Sequence, residues 1–282
     1  MIRMVLLLLG IMIGIFTVVV NLTARATGRQ QVNPIEIVAD MLTGALNSAD
    51  RLAPDLSRAI DKVELPATAL GQRAEAALSD YVAPDMRGGD YKTLEAPGAI
   101  YAAAGVADAD FLGALLDGAN FEGARGSAAR FAKARLAGAN FSAANLASAD
   151  FSGADLSSAA LRAGDMPRSA FVGATLTSAS FSGANLNGAR FDGAFARGAR
   201  FVGATAPGAA FGRTDLKRAD FRRANLQGAL FAEADVSFAN FGGANVRGAQ
   251  FATAVGVENA DFSGACGDDR TSAPAGVVIP KC

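Results

Sequence analysis

The chain has 282 residues, with 26 lysines and arginines, 27 aspartates and glutamates, and no histidine or tryptophan. Its net charge of -1 does not indicate a protein that binds nucleic acid. Histidine is the commonest general base and metal ligand, so its absence excludes histidine-based nucleophilic triads and histidine-containing zinc sites.

The N-terminus begins with an uncharged apolar segment. Residues 4–22 are long enough to span a bilayer, which takes about 20 apolar residues. Ala24-Arg25-Ala26 also fits the cleavage site of a secretory signal peptide, so residues 1–26 are a membrane anchor or a signal segment. We predict the anchor, because the apolar stretch is longer than the usual core of a signal peptide.

Residues 27–95 have the pattern of a helical connecting segment. Asn33 and Pro34 form a helix-start signal, and apolar residues follow from Ile35 at helical spacing. Gly88 and Gly89 are predicted to end this pattern. The segment is interpreted as a spacer and cap for the domain that follows. The alternative is a helical hairpin or stalk that binds a partner.

From residue 109 the chain repeats every five residues, as Ala-Asp/Asn followed by a central Phe or Leu. The centres at residues 111 to 251 belong to 29 consecutive units. A five-residue period scatters large side chains around a helix and alternates them across a straight strand. The chain must therefore turn within every unit if all the centres are to be buried.

The centres alternate between Phe and mainly Leu, so Phe recurs every ten residues. This alternation predicts a four-sided coil of 20 residues with stacked Phe ladders on two opposite sides. Alanines face inward two residues before each centre, and glycines two residues after it provide the turns. One predicted ladder consists of Phe111, Phe131, Phe151, Phe171, Phe191, Phe211, Phe231 and Phe251.

Some centres depart from this pattern: Gly126, Ala196 and Ala206 replace Leu, and Leu161 replaces Phe. Ala196 and Ala206 are neighbouring units on opposite sides of one coil. We therefore predict a looser or distorted coil there, with Phe195 partly filling the gap.

These repeats resemble the pentapeptide-repeat family, whose consensus is Ala-Asp/Asn-Leu/Phe-x-x. The resemblance implies an all-β solenoid, a right-handed quadrilateral β-helix, over residues 96–265. It also implies an alternative function, because some members are DNA-mimicking proteins that bind type II topoisomerases. Residues 96–265 contain 15 basic and 14 acidic residues, and this near-neutral balance is unlike that of a DNA mimic.

The exterior of a solenoid is where binding takes place, because each coil contacts only its neighbours. Leu115, Phe195 and Phe238 are predicted to point outward on one Leu side, as the candidate partner surface or as isolated apolar residues. A basic run winds around the coil, so a solvated, self-paired exterior is predicted for it. The run consists of Arg213, Lys217, Arg218, Arg222 and Arg223.

Residues 266–282 are predicted to be a capping tail that begins and ends with the chain's two cysteines, Cys266 and Cys282. The tail resembles a terminal segment that follows the repeats in some proteobacterial members of the family. A disulfide would pin the tail over the last coil and place it in an oxidising compartment. The alternative is two unpaired thiols.

These features predict a non-enzymatic, membrane-tethered scaffold that binds another membrane-associated protein, and no nucleic acid. It is expected to be a single-pass protein of the bacterial inner membrane, with the repeats on the periplasmic side. A cytoplasmic-facing domain and secretion after cleavage are the alternatives. The sequence suggests no catalytic, cofactor-binding or metal-binding residues.

Overall fold

The structure is a computed structural model that describes residues 83–282. The predicted membrane segment, residues 4–22, and most of the predicted helical segment, residues 27–82, lie outside the described residues. Within residues 83–282, no helix has the length and apolar character needed to cross a membrane.

Backbone bridges join residues that are twenty positions apart. Asp110 is bridged in parallel to Arg130, and Arg130 to Asp150. The N–H of Phe111 donates to the carbonyl of Arg130 at 2.7 Å, and the N–H of Arg130 donates to that of Ala109 at 2.8 Å. Four such bridges occur in each full coil of twenty residues, which confirms the predicted four-sided β-helix.

The four sides are numbered here by the centres of one coil: side 1 has Phe111, side 2 Leu116, side 3 Phe121 and side 4 Gly126. On each side, one bridged residue precedes the centre, and a corner residue lies two positions after it. The sides are single bridges rather than extended strands. In the described part of the chain, the one helix is the 3-10 helix Val257–Asn259.

The centres and the alanines before them fill the interior. Phe111, Phe131 and Phe151 lie above one another on side 1, with ring centroids 4.8 and 5.0 Å apart and nearly parallel rings. The rings of side 3 meet them edge-on, as Phe121 does with Phe131 at 5.4 Å and 81°. Burying a Phe contributes about 1.5–3 kcal/mol, and each ring pair adds about 0.5–1.5 kcal/mol. The side 1 ladder continues through Phe171, Phe191, Phe211, Phe231 and Phe251.

Each corner of the coil is a tight turn. The residue at most corners has a positive φ, which is 71° at Gly113 and 57° at Lys133. The N–H of Ala114 closes the turn by donating to the carbonyl of Phe111 at 3.0 Å. Glycine adopts this conformation freely, whereas for other residues the left-handed region costs about 1–2 kcal/mol. The glycines that recur after the centres therefore have the predicted turning role.

The first coil begins before residue 96, where the β-helix was predicted to start. Asp85 is already bridged to Gly105, so residues 85–95 are sides of the β-helix rather than part of a helical connector. Tyr91 and Tyr101 occupy centres and stack on the next Phe rings at 5.0 and 4.9 Å. The prediction was wrong here because Gly88, taken as the end of a regular element, is a corner residue with a φ of 62°.

The coil with two small centres is regular. Contrary to the predicted distortion, the N–H groups of Ala196 and Ala206 each donate to a carbonyl of the next coil at 2.8 Å. Phe195 is 58% exposed, so it does not fill the space beside them. The prediction was wrong because Phe191 and Phe211 stack at 4.8 Å and, with the backbone bonds, hold the coil spacing whatever the Leu sides carry.

An extra residue after Val255 is accommodated without breaking the β-helix. Gly256, with a φ of 75°, precedes the 3-10 helix Val257–Asn259, in which Val257 is buried. The repeat resumes at Phe262, whose ring stacks on Phe241 at 4.8 Å. The one-residue slip in the sequence is therefore a local loop in a continuous solenoid.

Candidate interaction surface

The three apolar residues of the predicted partner surface lie on side 2 without forming one patch. Leu115 is partly buried, whereas Phe195 and Phe238 are 58% and 64% exposed. Leu115 and Phe195 belong to the same row of bridges, four coils and about 19 Å apart. Phe238 is the corner residue at the end of side 2, two coils beyond Phe195. The structure therefore leaves Phe195 and Phe238 as the two exposed aromatic residues of this surface.

The outward aspartates mostly serve the backbone. Oδ1 of Asp150 accepts a hydrogen bond from the N–H of Ser152 at 2.9 Å. In the same arrangement, the N–H of Ser263 lowers the pKa of Asp261. These carboxylates are turn residues spread along the rod, rather than a paired general acid and base. Among residues 83–282, no group of three or more cysteine or carboxylate side chains could hold a metal ion.

Some ion pairs join neighbouring coils. Nη1 of Arg130 lies 2.9 Å from Oδ2 of Asp110, and Nζ of Lys217 lies 2.5 Å from Oδ2 of Asp235. The partners are 20 residues apart in the first pair and 18 in the second, so each pair joins two neighbouring coils. The basic side chains are exposed to solvent, so each pair contributes about 0–1 kcal/mol to stability.

The basic run of residues 213–223 is only partly paired, although the sequence predicts a self-paired exterior. Besides Lys217, Arg222 is paired, since its Nη2 lies 2.7 Å from Oδ2 of Asp220. Its hydrogen bond lowers the pKa of Asp220. Arg213, Arg218 and Arg223 are exposed, and their guanidinium groups form no ion pair or hydrogen bond with any residue that the structure describes.

These three unpaired arginines occupy corners of a single coil. Their φ values are 54°, 59° and 58° for Arg213, Arg218 and Arg223. The charge pattern alone does not distinguish them from Lys217 and Arg222, which belong to the same run. The available signal was the position of each arginine two residues after a centre, where glycine is the favoured residue.

The C-terminal tail packs against the last coil. Cys266 is bridged to Asn245, so the tail starts as a continuation of side 4. Further along, the hydroxyl of Thr271 donates to the carbonyl of Val246 at 3.0 Å. The Cα atoms of Cys266 and Cys282 are 5.2 Å apart, a separation that a disulfide spans.

This geometry defines a class of protein: a β-helical solenoid with a filled core, whose binding chemistry lies on its exterior. The profile for "Pentapeptide repeats (8 copies)" matches residues 127–162, 154–193, 169–205, 197–231 and 209–248. Residues 127–248 are therefore pentapeptide repeats, and a right-handed β-helix is the solenoid expected for that family.

Solved structures of other pentapeptide repeat proteins are similar to this chain. HetL, involved in heterocyst differentiation regulation in the cyanobacterium Nostoc sp. strain PCC 7120, is 25% identical, with 72% of this chain and 97% of HetL covered and a TM-score of 0.33. Rfr23 from the cyanobacterium Cyanothece 51142 is 30% identical over 35% of this chain and 63% of its own, with a TM-score of 0.28. QnrB1, a plasmid-mediated fluoroquinolone resistance protein, is 17% identical over 63% and 91%, also with a TM-score of 0.28. No curated protein matches the chain.

Proposed function

We propose that this chain is a non-enzymatic, membrane-tethered scaffold whose β-helix presents a rigid surface to another protein. It acts as an accessory or assembly subunit of an envelope membrane complex. The supporting observation is that Phe, Leu and Ala side chains fill the interior, while Phe195 and Phe238 stand exposed outside it. Aromatic side chains are enriched at protein interfaces, where their large apolar area is buried on binding.

A site-specific crosslinking experiment tests the partner proposal. A photo-crosslinking amino acid is placed at Phe195 or Phe238 of the full chain, and at Asn187 on side 4 as an exposed control. We expect one adduct of defined mass from solubilised membranes at positions 195 and 238, and none at 187. Recovery of only free, soluble monomer from all three variants would contradict the proposal.

The proposal includes an anchor at residues 4–22 and a repeat domain on the periplasmic side of the inner membrane. The periplasmic placement is supported by the short distance between the Cα atoms of Cys266 and Cys282, because disulfides form and persist in oxidising compartments. A membrane-impermeant thiol reagent should label neither cysteine in cells with a permeable outer membrane, and both after reduction. Labelling before reduction would refute the disulfide. Labelling that requires rupture of the inner membrane would refute the sidedness.

DNA mimicry is the alternative function, and the charge of the repeats disfavours it. Duplex DNA carries one negative charge per about 1.7 Å, whereas residues 96–265 contain 15 basic and 14 acidic residues. We expect an excess of the purified chain to leave the supercoiling activity of DNA gyrase unchanged. Inhibition of supercoiling would favour the mimic over the scaffold.

A further inference from the structure

We propose that one surface of the β-helix binds a protein segment in which carboxylates surround an apolar side chain. This surface, termed the arginine surface, consists of Arg218, Arg222, Arg223 and Phe238. It lies on side 3 and the two corners that bound it. The inference rests on the proposed function, and it specifies where the scaffold binds and the chemistry of its partner.

The coil geometry brings these residues together. Arg218 is the corner residue before side 3, and Arg223 is the corner residue after it in the same coil. Phe238 occupies the same corner as Arg218 one coil later, and neighbouring coils are about 4.8 Å apart. One side of the rod is thus flanked by two arginines, with an aromatic ring next to one of them.

Arg223 stands clear of other side chains because its neighbours in the same row are glycines. The corner positions one coil before and one coil after it are Gly203 and Gly243. A Cβ on Gly243 would lie 3.8 Å from Cγ of Arg223, so the aliphatic part of the arginine lies beside that backbone. This placement leaves the guanidinium group open to a ligand.

Large residues in strained corner conformations are concentrated at this end of the rod. Of the six successive corners from 213 to 238, five carry a large residue with positive φ: Arg213, Arg218, Arg223, Glu233 and Phe238. The fifteen corners from 138 to 208 carry only one, Arg168. The five residues are exposed, so core packing does not explain them. A large residue in place of glycine at such a corner carries backbone strain, and strained residues cluster at functional sites.

Charge chemistry favours discrete carboxylates over a continuous polyanion as the ligand. Guanidinium groups bind carboxylates and phosphates through paired hydrogen bonds. Asp220 and Asp235, however, lie among the basic side chains and are held by Arg222 and Lys217. These fixed negative charges repel the evenly spaced phosphates of a nucleic acid. The separate carboxylates of a protein segment can instead lie at positions away from Asp220 and Asp235. Phe238, 64% exposed, adds an apolar contact that a protein segment can match.

Recognition at this surface depends on side chains alone. The N–H of Phe221 donates to the next coil at 2.7 Å, and the N–H of Asp220 donates to the preceding one at 2.9 Å. The backbone of side 3 therefore has no free edge to which a partner strand could add. Substitution of the side chains should consequently weaken binding without altering the coil.

The test uses the full chain and a matched pair of variants. In one variant, Arg218→Ser is combined with Arg223→Ser. Serine already occupies such corners at Ser158 and Ser178, with φ values of 58° and 59°, so the coil should be retained. The control is Arg168→Ser, because Arg168 is also an exposed corner arginine, with a φ of 57°. It also lies beside a glycine, since a Cβ on Gly188 would be 3.7 Å from its Cγ.

Binding is measured with a fluorescent peptide in which glutamates flank a central leucine. We expect the double variant to bind at least about tenfold more weakly than the unsubstituted chain, since hydrogen bonds to charged groups are lost. Arg168→Ser should leave binding unchanged, and Phe238→Ser should reduce the preference for leucine over serine in the peptide. A single-stranded DNA oligonucleotide or anionic phospholipid vesicles should compete poorly.

Three results would overturn the inference. These are no binding of the peptide, equal losses in the double variant and the Arg168→Ser control, or tighter binding of the oligonucleotide or the vesicles. The crosslinking experiment at Phe195 separates this failure from failure of the proposed function. If the double variant still gives the same adduct in the same yield, the scaffold function stands and the arginine surface is not its binding site.

Discussion

The coils of residues 131–150 and 211–230 have the same central side chains and different exteriors, and their interiors differ at Ala134 and the buried Thr214. Both carry Phe, Leu, Phe and Leu at their four centres. Their rings meet edge-on in the same way, at 5.4 Å and 81° for Phe131 and Phe141 and at 5.6 Å and 85° for Phe211 and Phe221. Three corners of the second coil are arginines, whereas the first has one lysine. The comparison teaches that the core sets the shape of the coil, while the corners vary without changing it.

The largest predicted effect tests whether the two cores are equivalent. Phe131→Ala and Phe211→Ala each remove a ring that stacks on two neighbours and meets two more edge-on. We expect each substitution to lower the free energy of unfolding by about 3–5 kcal/mol, measured by urea denaturation. A large loss of unfolding free energy in one variant and a small loss in the other would show that the two cores are not equivalent.

The last coil differs from these two because the C-terminal tail packs against it. Replacing Cys266 and Cys282 together by Ser removes the proposed disulfide, which closes a loop with a sequence separation of 16. We expect a loss of about 3 kcal/mol under oxidising conditions, from the entropy of the opened loop. The control is the unsubstituted chain in reductant, which should match the double variant. If reductant leaves its denaturation curve unchanged, the two cysteines are not paired.

A smaller effect concerns the corners. Arg223 and Ala143 occupy the same row of corners, with φ values of 58° and 54°. Arg223→Gly and Ala143→Gly should each raise the free energy of unfolding by about 0.5–1 kcal/mol, because glycine removes the left-handed strain. Thermal denaturation measures this gain, and peptide binding should fall only in Arg223→Gly. Destabilisation by either glycine would show that the corners are not strained.

The smallest predicted effect depends on pH. Asp220 and Asn140 hold equivalent turn positions, but only Asp220 titrates, and its hydrogen bond with Arg222 lowers its pKa. The stabilisation is therefore present above the ordinary aspartate pKa of about 3.9 and is lost as the pH falls through the lower pKa of the folded state. We expect Asp220→Asn to cost less than about 1 kcal/mol at neutral pH, since the pair is exposed.

Denaturation of both proteins as the pH is lowered measures this effect, and their stabilities should converge in acid. A difference that persists unchanged below the pKa of the folded state would contradict this role of Asp220.

The architecture could be predicted from the sequence because the same five-residue pattern, an alanine followed two residues later by Phe or Leu, recurs along the repeats. The ten-residue spacing of Phe residues predicts the stacked ladder of Phe111, Phe131 and Phe151 seen in the structure. Prediction failed where the residue types were unusual for their positions. Tyr91 replaces Phe before the predicted start at residue 96, and the regular backbone at Ala196 depends on neighbouring ladders rather than on its own side chain.

The candidate surface was less predictable, because it depends on which outward residues find partners. Leu115 and Phe195 share a side, as expected, but four coils separate them. The pairing of Arg222 with Asp220, and the absence of such a bond for Arg218 and Arg223 among the described residues, depend on side-chain reach. A five-residue repeat gives the position of a residue on the coil, but not the conformation of a long side chain.

A distance measurement tests the four-sided coil most directly. Nitroxide labels at Ser142 and Arg222, in a chain whose cysteines are replaced by serine, occupy equivalent positions on side 3 and are four coils apart. Pulsed electron paramagnetic resonance should give one narrow distribution consistent with a backbone separation of about 19 Å. A broad distribution, or a mean distance that requires a different number of coils, would contradict the twenty-residue coil on which the account depends.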